Sequence, residues 1–256
     1  MYFIKPVEEL RFTDDFMFSY VMRNKDICRE VIRRLLKIEA REIKYPEAQK
    51  TIAPIYSGKG IRLDVYTETP DEVVDIEMQS GSYIAIPQRM RYYQSILDSD
   101  SLLKGSSYAM LKKSYVVFLC LDDPLGHGLP IYTFESFCRE NKDIQLEDCS
   151  QKIIFNAAAW EKCGDVEIRA FLEYLKRSEA TDKFLRRLDM TVDKIKEVQE
   201  FVNSYLAYNL HEYDVQERGR IEGAAMQKAK DERLINQQAE EIARLKALLA
   251  EKNTHP

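Results

Sequence analysis

Apolar and polar residues alternate along two neighbouring segments of this chain, residues 62–66 and 73–79. Because successive side chains of a strand point to opposite faces, this alternation predicts two strands that each have one polar face. The polar face of the second strand has three side chains: Asp75, Glu77 and Gln79. Residues 67–71, with Pro70 among them, have the length of a hairpin loop. Pairing of the two strands would bring Asp64 beside Glu77.

The hydrophobic pattern also predicts the elements on both sides of this hairpin. Apolar residues recur at helical spacing over 16–36, with Thr13 or Asp14 as the N-cap. A further helix is predicted over 84–103, with Pro87 in its first turn and Gly105 after its end. The unbroken apolar run at 115–121 is typical of an interior strand. Other strands are predicted over 51–56, followed by a turn at 57–60, and over 129–134 and 152–155.

The chain becomes helical and charged after Trp160. Amphipathic helices are predicted over 166–177 and 192–210, and a charged helix follows Gln216. In that last helix, residues spaced by three and four form an a/d seam of about two heptads: Ile235, Gln238, Ile242, Leu245 and Leu249. We therefore expect an α/β domain over 1–160, a helical extension over 161–216 and a helix over 217–256 that forms a short coiled coil and a homodimer.

Composition and charge narrow the class of protein. The chain has 256 residues, of which 45% are hydrophobic and 32% charged, as in a soluble globular protein with one sizeable core. No apolar run approaches the roughly 20 residues that cross a bilayer, and the N-terminus lacks the long apolar region of a signal peptide. Five cysteines without close pairing fit a reducing compartment and argue against a zinc knuckle. We expect a cytoplasmic protein with no membrane partner.

The net charge of −5 gives no global support for nucleic-acid binding. Basic residues do cluster locally, at Arg29, Arg33, Arg34 and Lys37, at Arg89 and Arg91, and at Lys104, Lys112 and Lys113. A basic groove can exist on an acidic protein, because physiological salt screens exposed charges beyond about 8 Å. The simpler interpretation of each cluster is a solvated helix face.

The two carboxylates predicted to face each other suit a hard divalent cation. Mg²⁺ usually binds one or two carboxylates and completes its shell with water and substrate phosphate oxygens. Asp64 and Glu77 would be those carboxylates, and phosphodiester hydrolysis is the reaction such an ion promotes. Gln79 could orient the attacking water through its amide. Asp75 could bind a second ion or only extend the acidic face, and the whole face could instead be the solvated side of a sheet.

The order of the predicted elements resembles the core of the PD-(D/E)XK nucleases. A first helix, a three-stranded meander with Asp64 and then Glu77, a crossover helix and a buried strand follow one another in that order. More narrowly, the chain resembles the Rpn family of recombination-promoting nucleases, also described as PD-(D/E)XK nuclease family transposases. The segments that resemble the family are 15–18, 62–65, 75–79, 89–93 and 105–108.

This resemblance implies an α/β fold with a mixed central sheet flanked by helices and a helical C-terminal extension. It implies metal ligation by Asp64, Glu77 and the backbone carbonyl of Met78, with Mg²⁺ or Mn²⁺ as the cofactor. Gln79 would position the water at the place where the wider superfamily has lysine. Leu63 stands where the motif has proline.

Four further residues are candidates for accessory roles: Asp15, Asp75, Arg89 and Tyr93. Asp15 could add an acidic group or only interact favourably with the dipole of the first helix. Arg89 could hold a phosphate or pair with the acidic face, and Tyr93 could stack on a base or only pack.

The sequence therefore predicts a metal-dependent DNA endonuclease, linked by resemblance to recombination, mobile elements or defence. A second hypothesis is a nuclease-derived module that binds nucleic acid or protein without efficient cleavage. A third is a helical scaffold whose function lies in the C-terminal helix.

Overall fold

The computed structural model describes residues 4–38, 47–52, 61–81, 83–102 and 104–253. The helices are α1 (Asp15–Val21), α2 (Lys25–Leu36), α3 (Ile86–Ser101), α4 (Val166–Arg177), α5 (Lys183–Lys196) and α6 (Gln199–Asn253). The strands are β1 (Glu47–Ile52), β2 (Ile61–Glu68), β3 (Glu72–Gln79), β4 (Lys113–Cys120), β5 (Ile131–Phe134) and β6 (Ser150–Asn156). Short 3₁₀ turns occur at Val7–Glu9, Tyr108–Met110 and Ala157–Lys162.

The strands form one mixed sheet in the order β1-β2-β3-β4-β6-β5. β1, β2 and β3 make an antiparallel meander, whereas β4 runs parallel to both β3 and β6. A parallel connection needs a crossover, and α3 is the crossover between β3 and β4. β4 lies inside the sheet and is buried from Ser114 to Cys120, as its apolar run predicts. The predicted mixed sheet with flanking helices is confirmed.

Helices cover both faces of this sheet. On one face, α3 packs Ile86, Met90 and Leu97 against a cluster that includes Val116 and Phe118. On the other face, α1 contacts β2 and β3. Both faces of β3 are therefore buried, and this determines the environment of the acidic residues on that strand.

Two of the predicted helices have wrong boundaries. The single helix predicted over 16–36 is two helices, because the Asn24 side chain accepts hydrogen bonds from the backbone N–H groups of Asp26 and Ile27, at 3.0 and 3.2 Å. Asn24 is thus the N-cap of α2, and it separates this helix from α1. The helix predicted over 192–210 spans the end of α5 and the start of α6. The strand predicted over 51–56 overlaps the end of β1, and residues 53–60 with their predicted turn lie outside the described part.

The basic cluster on α2 is engaged by carboxylates of the same chain. Arg34, with 7% of its side chain exposed, binds Glu30 at 2.9 Å and Asp182 at 2.5 Å. The remaining pairs are Arg29 with Asp26, Arg33 with Glu30 and Glu167, and Lys37 with Asp165 and Glu167. These contacts connect α2 to α4 and α5, and they favour the interpretation of this cluster as helix surface.

The chain divides into two compact units. The first is Lys5–Val202, which includes the sheet and α1 to α5. The second is Met1–Ile4 with Asn203–Pro256, and its described part after Asn203 is helix α6. None of the described helices is apolar over a length that would span a bilayer.

Candidate active site

Asp64 and Glu77 lie side by side where the pairing of β2 with β3 ends. The antiparallel register runs from Glu68 opposite Val73 to Val65 opposite Ile76, so the next pair is Asp64 and Glu77. The Asp64 backbone N–H donates to Glu77 Oε1 at 2.9 Å, and the Met78 backbone N–H donates to Asp64 Oδ2 at 3.1 Å. Each carboxylate is therefore held by the backbone of the opposite strand.

The Met78 carbonyl points to the same side of β3 as this pair. In an extended strand the N–H and C=O groups of one residue point toward the same neighbouring strand. The Met78 N–H meets the Asp64 carboxylate, so its carbonyl is also directed toward β2. The next carbonyl, that of Gln79, points the other way and accepts from the Leu121 N–H at 3.2 Å.

The acidic face of β3 is covered by protein. Asp75 is 0% exposed and Glu77 is 3% exposed. The alternative of a solvated sheet face is therefore wrong for these two residues, because α3 packs on the same side of the sheet. The alternation along β3 predicts which residues share a face, but a distant helix determines that this face is closed.

The carboxyl oxygens of Asp75 accept no hydrogen bond from a donor group in the described part of the chain. Two ionised carboxylates cannot bond to each other, because neither has a proton to donate. The Asp75 and Glu77 groups are close enough for such a bond once one of them is protonated. A proton on one of the two groups, or an external cation, would satisfy the Asp75 oxygens.

Burial raises the pKa of both carboxyl groups well above the ordinary range. The charge of Asp64 raises the pKa of Asp75 further, and the charge of Asp75 does the same for Glu77. The Asp64 N–H and the Arg89 guanidinium oppose part of the shift at Glu77. Without a bound cation, this cluster retains protons at a pH where solvent-exposed carboxyl groups are ionised.

Arg89 of α3 links this cluster to Gln79. Its Nη1 donates to Gln79 Oε1 at 2.5 Å, and its Nη2 lies 3.8 Å from Glu77 Oε2. Nη2 also donates to Tyr93 Oη at 3.4 Å. The guanidinium lies over the Phe118 ring at 5.1 Å and near the Tyr93 ring at 5.6 Å. The structure thus brings Arg89 and Tyr93 to the predicted site.

Phe118 is a part of this site that sequence reasoning did not identify. It stands opposite Glu77 in the parallel pairing of β3 with β4. In the sequence it is one residue of an apolar run, and a ring that supports a guanidinium has no separate signal there.

Asp15 lies near the end of β3 but makes a different contact. It is the first residue of α1 and is exposed, and its Oδ1 accepts from the Ser80 hydroxyl at 3.4 Å. The structure therefore places Asp15 beside the residue that follows β3.

The donor atoms of the cluster are carboxylate and carbonyl oxygens, which hard divalent cations prefer. Within the described ranges, no three His, Cys, Asp or Glu side chains are arranged as a metal site. Mg²⁺ does not need such a cage, because it often binds one or two carboxylates and retains several waters. The two buried Asp75 oxygens accept no hydrogen bond from a donor in the described part of the chain, so they remain polar atoms without a partner. The residues present fit a divalent cation.

A mixed sheet in which a hairpin with two facing carboxylates precedes a crossover helix is consistent with a PD-(D/E)XK α/β core. Residues 13–130, a little under half of the chain, match the family model described as PD-(D/E)XK nuclease family transposase. The match confirms the resemblance seen in the sequence and supports a nuclease-like function. It includes all the residues of the candidate site. Searches of curated proteins and of solved structures gave no match.

Proposed function

We propose that this domain is a metal-dependent endonuclease that hydrolyses phosphodiester bonds of DNA. The observation that supports the proposal best is the mutual fixation of Asp64 and Glu77 by backbone N–H groups at the end of the β2–β3 pairing. This places two carboxylates and the Met78 carbonyl along one gap between strands. The nuclease family of the segment makes nucleic acid the natural substrate.

The proposed ligands of the ion are Asp64, Glu77 and the Met78 carbonyl, with Mg²⁺ or Mn²⁺ as the cation. Such an ion, when bound, would polarise the phosphodiester and lower the pKa of an attacking water. Gln79 is partly exposed at the end of β3 and would orient that water or a phosphate oxygen through its amide. Asp75, fully buried behind Glu77, would contribute negative charge without touching the substrate.

The biological setting that we propose is recombination, mobile-element transfer or defence in the cytoplasm. The transposase description of the matching family supports the link to mobile elements. A homodimer formed through α6 would present two sites, which suits cleavage of both strands of a duplex.

Nicking of supercoiled plasmid in Mg²⁺ or Mn²⁺ tests the proposal. Asp64→Asn and Glu77→Gln keep a side-chain oxygen that can accept the strand N–H bonds but remove the charge that would bind the ion. We expect both variants to lose metal-dependent nicking while their circular dichroism and thermal unfolding remain those of a folded protein. Asp71→Asn is the matched control, because Asp71 is an exposed carboxylate in the loop of the same hairpin.

Equal nicking by the wild type and both site variants would overturn the assignment of Asp64 and Glu77. A folded wild type that binds duplex DNA but nicks with neither ion would instead support the nuclease-derived binding module. The carboxylates of Asp64 and Glu77 and the Met78 carbonyl would then have a structural role only.

A further inference from the structure

We infer that Arg89 is a positioning residue that fixes the Gln79 amide as a hydrogen-bond donor toward an anionic oxygen of the substrate phosphodiester. The inference rests on the proposed function, because it assigns the phosphate-facing side of that same site. It concerns a side chain on α3, outside the β-hairpin that holds the carboxylates.

The orientation of the Gln79 amide follows from the chemistry of its partner. A guanidinium has five N–H donors and no acceptor. The Gln79 atom 2.5 Å from Arg89 Nη1 must therefore be the amide oxygen. This contact leaves the two N–H groups of the amide for another acceptor, and no described residue accepts from them. Gln79 is thus restricted to donating.

The guanidinium is itself held in place by residues of two elements. Tyr93, one helical turn further along α3, accepts from Nη2, and the guanidinium carbon lies 5.1 Å from the centre of the Phe118 ring of β4. A cation–π contact and a polar contact at the same group limit its rotation. About a third of the Arg89 side chain (34%) stays exposed, so its charge is accessible from outside.

The same guanidinium compensates charge beside the carboxylates. Its Nη2 lies 3.8 Å from Glu77 Oε2, and its charge acts to keep Glu77 ionised. Gln79 alone is neutral. Together, Arg89 and Gln79 present a fixed amide donor with a cation directly behind it. Because hydrogen bonds in a chain polarise one another, the guanidinium on the amide oxygen strengthens the amide N–H groups as donors to a phosphate oxygen.

Replacement of Arg89 by glutamine tests this role in single-turnover cleavage of a duplex. We expect Arg89→Gln to lower the rate constant of cleavage about 10- to 100-fold, with a smaller change in the substrate concentration at half-maximal rate. This is less than the roughly 100- to 1,000-fold loss on removal of a direct oxyanion donor, because Arg89 acts through Gln79. Arg91→Gln is the matched control, because it removes the same charge from an exposed position of the same helix. It should leave the rate constant unchanged.

Two rescue variants separate positioning from a merely structural ion pair. Arg89→Lys keeps the positive charge and N–H donors that can reach the Gln79 oxygen, and should recover part of the lost rate. The double variant Gln79→Lys with Arg89→Gln moves the cation onto β3, and should cleave faster than Arg89→Gln alone. Gln79→Lys by itself should be slower than this double variant, because its ammonium would lie beside the Arg89 guanidinium.

A measurement without cleavage tests the orientation directly. In ¹⁵N relaxation spectra the Gln79 side-chain amide should be as ordered as the backbone, whereas that of Gln88, exposed on α3, should be mobile. Arg89→Gln should make Gln79 as mobile as Gln88, and Arg91→Gln should not.

These outcomes distinguish the inference from the proposed function. A wild type that does not cleave DNA overturns the proposed function, while an ordered Gln79 amide that is released by Arg89→Gln still supports positioning by Arg89. If the wild type cleaves DNA and a folded Arg89→Gln variant cleaves it equally fast, the inference is overturned and the proposed function is not. A Gln79 amide that is mobile in the wild type overturns it as well.

Discussion

Asp75 is a carboxylate in a position where stability alone would favour an apolar or neutral residue. It is fully buried, it lies near Glu77, and the charge of Asp64 acts on it. An ionised carboxylate in such surroundings costs several kcal/mol unless it is compensated. Buried acidic groups that perturb one another are typical of functional sites. We interpret Asp75 as part of the charge that a bound cation would offset.

The first prediction concerns pH and stability in the metal-free protein. Asp75 and Glu77 have raised pKa values in the fold, against ordinary values of 3.8 and 4.5. The fold therefore binds more protons than the unfolded chain at a pH above those values, and the free energy of unfolding should fall as pH rises from about 4 through the raised pKa values. Urea unfolding with a chelator, at several pH values, measures this slope.

Asp75→Asn should reduce this pH dependence and stabilise the metal-free protein at pH 7 to 8 by about 1–3 kcal/mol, the cost of an uncompensated buried polar group. Asp71→Asn on the exposed loop should change neither the slope nor the stability. If Asp75→Asn has the same slope as the wild type, Asp75 is already compensated in the fold.

The sequence predicts the contact between Asp64 and Glu77 but not their surroundings. Strand alternation and a short hairpin loop are local properties, and together they determine which side chains face each other. The burial of Glu77 depends on α3 and on Phe118 of β4, which are distant in the sequence. The contact of Arg89 with Gln79 depends on the rotation of α3 over the sheet, which no local pattern determines.

Among the cations of α2 that pair with other elements, Arg34 is the most buried, with 7% of its side chain exposed. Arg34 binds Glu30 within α2 and reaches Asp182, whose side chain also accepts from the Leu185 N–H at the start of α5. Its guanidinium lies over the Phe184 ring at 4.5 Å. Arg34 therefore connects two helices that are far apart in sequence.

The second prediction is that Arg34→Ala destabilises the fold by about 1–3 kcal/mol, because it removes a buried cation from the partly exposed carboxylates of Glu30 and Asp182. Arg29→Ala, on the same helix, removes an exposed pair with Asp26 and should cost no more than about 0.5 kcal/mol. Denaturant unfolding of both variants measures the difference. If the two variants lose similar amounts of unfolding free energy, the burial of the Arg34 ion pair does not determine its contribution to stability.

The bounds of an element could be predicted where the spacing of its apolar residues agrees with capping residues at its ends. Helix α4 begins and ends where the sequence predicts, because Asp165 is an N-cap that accepts from the Glu167 and Ile168 N–H groups. The failure at Asn24 has the opposite cause. Helical spacing of apolar residues continues across it, from Tyr20 to Ile27, although the chain leaves the helix there. The spacing of apolar residues indicates only which side of a helix is buried. Two successive helices that bury the same side keep this spacing, so the break between them is not visible in it.

At the scale of the whole molecule, α6 is much longer than the other helices described. It runs over Gln199–Asn253, and the part after Asn203 is about 75 Å long at 1.5 Å per residue. Apolar side chains are exposed along it, among them Leu210 at 62%, Ile221 at 57%, Ile235 at 62% and Ile242 at 53%. A helix with exposed apolar residues at coiled-coil spacing gains stability by pairing.

The third prediction is that α6 forms a weak homodimer. The full chain should dimerise reversibly in sedimentation experiments, and a chain that ends after Gln216 should be a monomer. Ile235→Asp with Ile242→Asp should have the same effect within the full chain, whereas Gln237→Asp, off the seam, should not. An unchanged dimer after truncation would place the interface elsewhere, and a full chain that is monomeric at all concentrations would contradict the prediction.

Hydrogen exchange can report on the site, because two backbone N–H groups in it donate to side-chain carboxylates. The amide protons of Asp64 and Met78 are held by Glu77 and Asp64, whereas Val65 and Ile76 lie in the regular ladder. Their protection therefore depends on the state of two ionisable side chains, and a cation that fixes those side chains should slow exchange at Asp64 and Met78 without slowing it equally at Val65 and Ile76. Occupancy of the site by an ion can in this way be followed at two backbone positions, in solution and without any nucleic acid.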